Sequence, residues 1–282
     1  MRASEAAGWT GQFVETNDIR MYGAQGGRGR PLVLLHGYGW DHSLWDDILT
    51  RFASRYRVIA GDSRGHGRSD KPAGPYTISV LARDWYGLVT ALAAEPACLV
   101  GFSLGGMIAS LLAVEHPETV EALVLVATLC EADPDLEVKL EARIRAAREE
   151  GPVAGAHVGA RQIFSPRFME LHPDVIDRFV RWRASMPQEP LFETARAVYG
   201  FRVCERLREI RVPCLVVYGD DDAITPPPAA RRIAESVPGA RLVGIHGAGH
   251  MIPVEKPSEL ATVLDAFLTA HYAPTTRPAS AG

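Results

Sequence analysis

A chain of 282 residues, 47% of them hydrophobic and 23% charged, has the length for one large core and the composition of a globular protein. Its formal net charge of -4 and the lack of any apolar run near the roughly 20 residues that cross a bilayer exclude a nucleic-acid partner and a membrane span as expectations. The opening MRASEAAGWTGQFVE has no apolar stretch of roughly 7 to 15 residues followed by a small-residue cleavage site, so no secretory leader is read there and a cytoplasmic address is expected.

In chain order, GQFVETNDIRMYGAQ carries the turn-like Asn17-Asp18 and reads as an antiparallel hairpin on a sheet edge. Then come PLVLLHG (31–37), YRVIAGD (56–62), ACLVGF (97–102) and EALVLVAT (121–128), with CLVVYGD (214–220) and ARLVGIHG (240–247) much later. All six run apolar without strict alternation, the pattern of strands buried on both faces of a parallel sheet. Helix-like segments at 43–54, 78–94, 104–116, 228–237 and 257–271 alternate with them, which gives an α/β fold with a mostly parallel, doubly wound sheet. The alternation fails over 130–211, where charged helical stretches carry Phe164, Phe168, Phe179, Trp182 and Phe192. This segment is read as a helical cap inserted into a core made of 1–129 and 212–273; the tail 274–282, rich in Pro, Thr and Ala, is expected to be disordered.

Cys98, Cys130, Cys204 and Cys214 are widely spaced, with no C-x-x-C pair and no histidine at ligand spacing. No metal site is read from them, and all four are expected to be buried, inert thiols. The run RIRAAREE (143–150) interleaves acids with its arginines and reads as a solvated helix face.

Ser103 stands in GFSLGG (101–106), a match to the G-x-S-x-G elbow in which a serine is pushed out between a strand and a helix. Taken alone, the segment reads better as an ordinary serine helix cap in a glycine-rich turn. A serine hydroxyl is a poor nucleophile and needs a base oriented by an acid. Both types occur downstream beyond later strands: Asp220-Asp221-Asp222 after CLVVYG, and His246-Gly-Ala-Gly-His250 after ARLVGI. Ligands of open α/β sheets bind at those carboxyl ends.

With LHGYG (35–39), GDSRGHGRSD (61–70), GFSLGG (101–106), VYGDDDAITP (217–226) and GAGHMIPVEKP (247–257) in this order, the chain resembles the α/β-hydrolase family from about residue 12 to 272. The resemblance implies Ser103 as nucleophile, His250 rather than His246 as general base, and Asp222 as the acid with Asp221 as runner-up. It implies the backbone N–H groups of Tyr38 and Leu104 as oxyanion donors, with Gly37, Phe102, Trp182 and Met251 against the substrate. His36 is read as structural, Asp62, Arg64, His66 and Asp70 as bracing without a direct catalytic role, and Thr225-Pro226 as a helix cap and first helical residue. No cofactor is implied. GFSLGGMIA together with DSRGHGRSD looks most like bacterial carboxylesterases and enol-lactonases, so the expected substrate is a small-molecule ester or lactone. Epoxide hydrolases and haloalkane dehalogenases need an Asp where Ser103 stands. A carbon-carbon bond hydrolase, thioesterase or perhydrolase on the same triad stays open, as does a slow-turnover ligand sensor.

Overall fold

A computed structural model describes residues 9–93 and 96–274, so the expected disordered tail lies outside the described residues except for Pro274. Eight strands form one sheet in the order β1-β2-β4-β3-β5-β6-β7-β8. β1 (Thr10–Thr16) and β2 (Ile19–Gly27) make the edge hairpin, with Asn17 and Asp18 at φ 45° and 62°. Positive φ at both central residues is the condition for the tight turn whose twist matches paired strands. β2 is antiparallel to both neighbours, while β3 (Pro31–Leu35), β4 (Arg57–Gly61), β5 (Ala97–Phe102), β6 (Val120–Val126), β7 (Cys214–Gly219) and β8 (Arg241–Ile245) run parallel.

Every residue of β3 and β5 is buried, as helices on both faces of a parallel sheet require. Each such Leu or Val removed from water contributes about 1.5–3 kcal/mol. β8 departs from the expectation of burial on both faces. Only Ile245 is buried and Leu242 is 38% exposed, because β8 is the last strand and has β7 alone as a neighbour.

The helices are α1 (Asp46–Phe52), α2 (Ile78–Ala93), α3 (Leu104–Glu115), α4 (Pro134–Glu149), α5 (Pro152–Ile163), α6 (Pro166–Leu171), α7 (Pro173–Ala184), α8 (Gln188–Arg196), α9 (Pro227–Ser236), α10 (Ile252–Glu255) and α11 (Pro257–His271). None of the described helices is long and apolar enough to cross a membrane. α3 is buried from Leu104 to Val114, so it is apolar all round and packs on β5 and β6. α4 to α8 form the excursion between β6 and β7. Four of these five open with Pro at the first helical position, where a missing N–H costs nothing.

The expectation of four free thiols fails at two positions. Cys130 and Cys204, 74 residues apart, form a disulfide with Cα atoms 4.8 Å apart. They meet because the two ends of the excursion pair with each other: Val203 N donates to Cys130 O and Ala132 N to Phe201 O, each at 2.8 Å. Cys98 and Cys214 are buried and free, and burial pushes both thiols up, Cys214 to about 12.

Candidate active site

β5 ends at Phe102 and α3 begins at Leu104, so one residue makes the reversal. Ser103 does this at φ 53° and ψ -116°, a conformation that costs a non-glycine residue roughly 1–3 kcal/mol. Its surroundings hold it there: Ser103 N donates to Val126 O at 2.9 Å, and Ser103 O accepts from Gly106 N at 2.8 Å and from Thr128 Oγ1 at 2.7 Å. The flanking glycines answer to close approach. A Cβ on Gly101 would meet Gly105 O at 2.4 Å, and one on Gly105 would meet Leu35 O at 2.3 Å.

Asp222 and His250 reach Ser103 from the loops after β7 and β8, whose registry places Gly219 opposite Ile245. His250 Nε2 lies 2.9 Å from Ser103 Oγ, and its Nδ1 lies 2.9 Å from Asp222 Oδ2. With Nδ1–H donating to the carboxylate, Nε2 is free to accept the serine proton. Asp222 also accepts Ile224 N at 2.8 Å, Thr225 N at 2.9 Å and Thr225 Oγ1 at 2.7 Å. Burial pushes its carboxyl up, but His250 and the Thr225 hydrogen bonds outweigh burial and hold it below the usual carboxylate range. Thr225 is therefore no helix cap; Pro226 takes that position, and the threonine hydroxyl serves the acid.

The rival pair stands outside. The His246 side chain is fully exposed and its Nδ1 lies 2.7 Å from Asp220 Oδ2, while Asp221 is exposed with its N–H donating to Ala248 O at 3.0 Å.

The turn after β3 closes the site from the other side. Gly37 sits so near that a Cβ there would meet Phe102 at 2.7 Å and the Ser103 Cβ at 3.2 Å. Two buried histidines clamp this turn. His36 Nε2 accepts from Ser63 N at 2.9 Å while its Nδ1–H donates to Gly37 O at 2.8 Å; His66 Nε2 accepts from Gly39 N at 3.0 Å while its Nδ1–H donates to Arg64 O at 3.0 Å. Each imidazole thus keeps one acceptor nitrogen, and burial lowers both, His66 well below the ordinary value. Asp62 holds the same region by accepting His42 N and Nδ1, each at 2.7 Å, and Arg68 N at 2.8 Å. Arg64 binds Asp84 through two nitrogens, at 2.7 and 2.8 Å. Asp70 closes the same loop through its backbone, its O accepting from Gly65 N at 3.0 Å, while its carboxylate accepts from Arg20 N at 3.0 Å on an exposed edge. Among the described residues the Tyr38 and Leu104 amides have no backbone acceptor.

A cavity opens on Ser103 and His250. Phe102 and Met251 line it, as do Trp40, Phe179, Arg143 and Arg183. Trp182 does not line it; its ring packs 4.9 Å from that of Trp40, because the next α7 residue, Arg183, takes the cavity-facing position. Arg143 corrects the reading of RIRAAREE as a solvated face: it is only 9% exposed, since α4 packs against α5 on that side. Glu255 was not legible as a site residue. Its two oxygens accept Ser165 N at 3.2 Å and Gly249 N at 3.1 Å, tying the helical excursion to the His250 loop.

Residues 30–257 match the family model described as the alpha/beta hydrolase fold. The 3-oxoadipate enol-lactonase 2 of Acinetobacter baylyi is 28% identical over 260 residues, covering 92% of this chain and 95% of that protein. Among solved structures, the enol-lactonase from Burkholderia xenovorans LB400 is similar with a TM-score of 0.85 at 28% identity, over 92% of this chain and 100% of its own. A thermophilic esterase from Thermogutta terrifontis reaches a TM-score of 0.84 at 26% identity, over 93% and 98%. The family match runs from the start of β3 to the start of α11 and so takes in both halves of the sheet and the excursion between them: this chain belongs to the α/β-hydrolase family.

Proposed function

We propose that the protein is a serine hydrolase that cleaves a carboxylic ester or lactone of small to medium size through an acyl-enzyme. The observation that carries this reading is the buried hydrogen-bonded series Ser103–His250–Asp222 at the floor of the cavity. His250 Nε2 takes the proton of Ser103 Oγ as that oxygen attacks the substrate carbonyl, and the depressed Asp222 carboxyl keeps its charge beside the imidazolium that forms. The carbonyl oxygen, now negative, is received by the N–H groups of Tyr38 and Leu104, the second at the positive end of α3. His250 returns its proton to the leaving alkoxide; water then enters by the same route and releases the acid. In a lactone the leaving alkoxide stays tethered, so one ring opens and one hydroxy acid or its keto form leaves.

In this reading 130–211 forms a lid over a core of 1–129 and 212–273, with Phe102 and Met251 against the substrate and Gly37 shaping the floor beside Ser103. The names of the enol-lactonase and esterase relatives support the ester or lactone class over the carbon-carbon bond, thioester and perhydrolysis alternatives. A cytoplasmic address belongs to the same proposal. The Cys130–Cys204 disulfide weighs against that address, because such bonds form mainly in oxidising compartments; the burial of both residues, at 2% and 6% exposure, slows their reduction in the folded chain.

The test is steady-state hydrolysis of p-nitrophenyl acetate and a panel of lactones by the native chain and by Ser103→Ala. Multiple turnovers by the native chain and none by the folded variant are expected. Equal rates in the two proteins would remove Ser103 from the mechanism, and a single stable acylation without turnover would favour the sensor.

A further inference from the structure

Among the described residues, two guanidinium groups in the cavity wall have no acid to answer them. Arg143 on α4 spends Nε on Gln162 Oε1, but its Nη2 is buried with no hydrogen-bond partner. Arg183 on α7 is partly exposed as a residue, yet its Nη1 is buried and equally without a partner. Their guanidinium carbons lie 5.9 Å and 4.3 Å from the centre of the Tyr38 ring, on the turn that closes over Ser103. Both line the cavity that opens on Ser103 and His250, and among the described residues no Asp or Glu lines it. Burial lowers both, Arg143 to about 10 with the Arg183 charge adding to the effect, while the intrinsic basicity of a guanidinium keeps it cationic at neutral pH.

Arginines that serve only the fold spend their N–H groups on carboxylates or carbonyls, as Arg64 does on Asp84. Leaving a buried cation uncompensated is strongly destabilising, and placing a second one beside it is worse. A planar guanidinium offers paired N–H donors that fit the two oxygens of a carboxylate. We propose that Arg143 and Arg183 form a carboxylate-binding subsite, so that the preferred ester or lactone carries a free carboxylate in the portion held beneath α4 and α7. This names the substrate class of the acyl-transfer reading and rests on it. The two arginines are positioning residues: they anchor the far end of the substrate and leave the reacting carbonyl at Ser103. A neutral analogue is discriminated against because it leaves both cations buried and unpaired.

The experiment uses the full chain and two series, the monomethyl and the dimethyl esters of straight-chain dicarboxylic acids from succinic to suberic, followed by base uptake at neutral pH. For at least one chain length, kcat/KM of the monoester is expected to exceed that of the diester by about tenfold or more, chiefly through KM. Arg143→Met and Arg183→Met, which keep the apolar stem, are each expected to lower that ratio by about tenfold, with Arg183→Lys recovering part of it. A ratio of one or below at every length in the native chain overturns the subsite, as does a ratio that neither Met variant moves.

A binding arm separates this outcome from failure of the hydrolase reading and needs no folded arginine variant. Calorimetric titration of Ser103→Ala with adipate, dimethyl adipate and inorganic phosphate is expected to show binding of adipate only. Adipate binding supports the subsite even where no ester is turned over. Absence of adipate binding, or tighter binding of phosphate than of adipate, overturns it.

Discussion

Thr225 donates its hydroxyl hydrogen to Asp222 Oδ2 at 2.7 Å, on the same oxygen that faces His250 Nδ1 at 2.9 Å. The acid of the proposed triad is thus held by a neighbour three residues on, in addition to the backbone. Thr225→Val keeps the shape and removes the hydrogen bond. A hydrogen bond to a buried charged group contributes about 1.5–3 kcal/mol, so kcat/KM is expected to fall by about ten- to a hundredfold. The variant's acid limb of activity is also expected at higher pH, because one of the groups holding the Asp222 carboxyl low is gone. Thr225→Ser should restore both; an unchanged pH profile in Thr225→Val would leave the hydroxyl with a packing role only.

The two histidines that clamp the turn over Ser103 set an acid limit on stability. Burial lowers His36 and lowers His66 well below the ordinary imidazole value, so the folded state binds fewer protons than the unfolded chain over the range between. The stability they contribute is complete above the unfolded value of about 6.5 and is lost as pH falls below it. Urea midpoints measured from pH 8 to pH 5 are expected to decline below about 6.5, and His66→Gln, whose amide can accept from Gly39 N without taking a proton, should flatten the decline. Parallel curves for the native chain and His66→Gln would show that His66 titrates no differently on unfolding.

His42 acts in the opposite sense. Burial lowers its imidazole, but Asp62, at 2.7 Å, more than compensates, and its net direction is upward. Its contribution is full below about 6.5 and fades as pH rises through the raised folded value. In a thermal or urea comparison, the stability lost in His42→Gln should shrink on going from pH 6 to pH 9. A difference that stays constant across that range would mean the pair works as a neutral hydrogen bond.

The Cys130–Cys204 bond closes a loop of 74 residues' separation that includes all of α4 to α8. In the chain-entropy account, a cross-link of this span stabilises the fold by about 4.5 kcal/mol, and disulfides typically deliver about 2–4 kcal/mol of this. Cys130→Ser with Cys204→Ser is expected to lower the urea midpoint accordingly. Thiol titration of the native chain should detect no additional thiol on mild reduction without denaturant, and two more after reduction in urea. Ready reduction of the folded protein would contradict the burial of both sulfur-bearing residues.

Gly105→Ala checks the elbow independently of chemistry. The new Cβ would lie 2.3 Å from the Leu35 carbonyl oxygen, a backbone atom with no side-chain freedom to yield. Overpacking of this kind costs about 1–3 kcal/mol or more, and the accompanying shift of β5 against β3 should disturb Ser103 as well. A variant as stable and as active as the native chain would show that the elbow has more slack than this contact allows.

Most of the sheet was legible because buried parallel strands need unbroken apolar runs, and that requirement is written locally in PLVLLHG, ACLVGF and EALVLVAT. The elbow was legible only in company: a chain reversal within one residue demands glycines at fixed offsets, which Gly101 and Gly105 supply, but it took the acid and histidine beyond two later strands to tell it from a helix cap. By itself the sequence therefore determined the α/β class, the hairpin at Asn17-Asp18 and the short list of groups able to do the chemistry. The family resemblance singled out Ser103, Asp222 and His250 among them, and tertiary structure supplied the contacts. Asp222 rather than its runner-up Asp221 faces a buried histidine, Cys130 finds Cys204 across the neck of the excursion, and β8 is left half-covered as the end of the sheet. It also decided that Arg143, in a run that reads as solvated, turns inward. The physical reason is one of range. Backbone torsions and apolar periodicity act over a few residues and leave their mark in the local sequence, whereas the burial of a charge or the meeting of two thiols depends on helices and strands far apart along the chain.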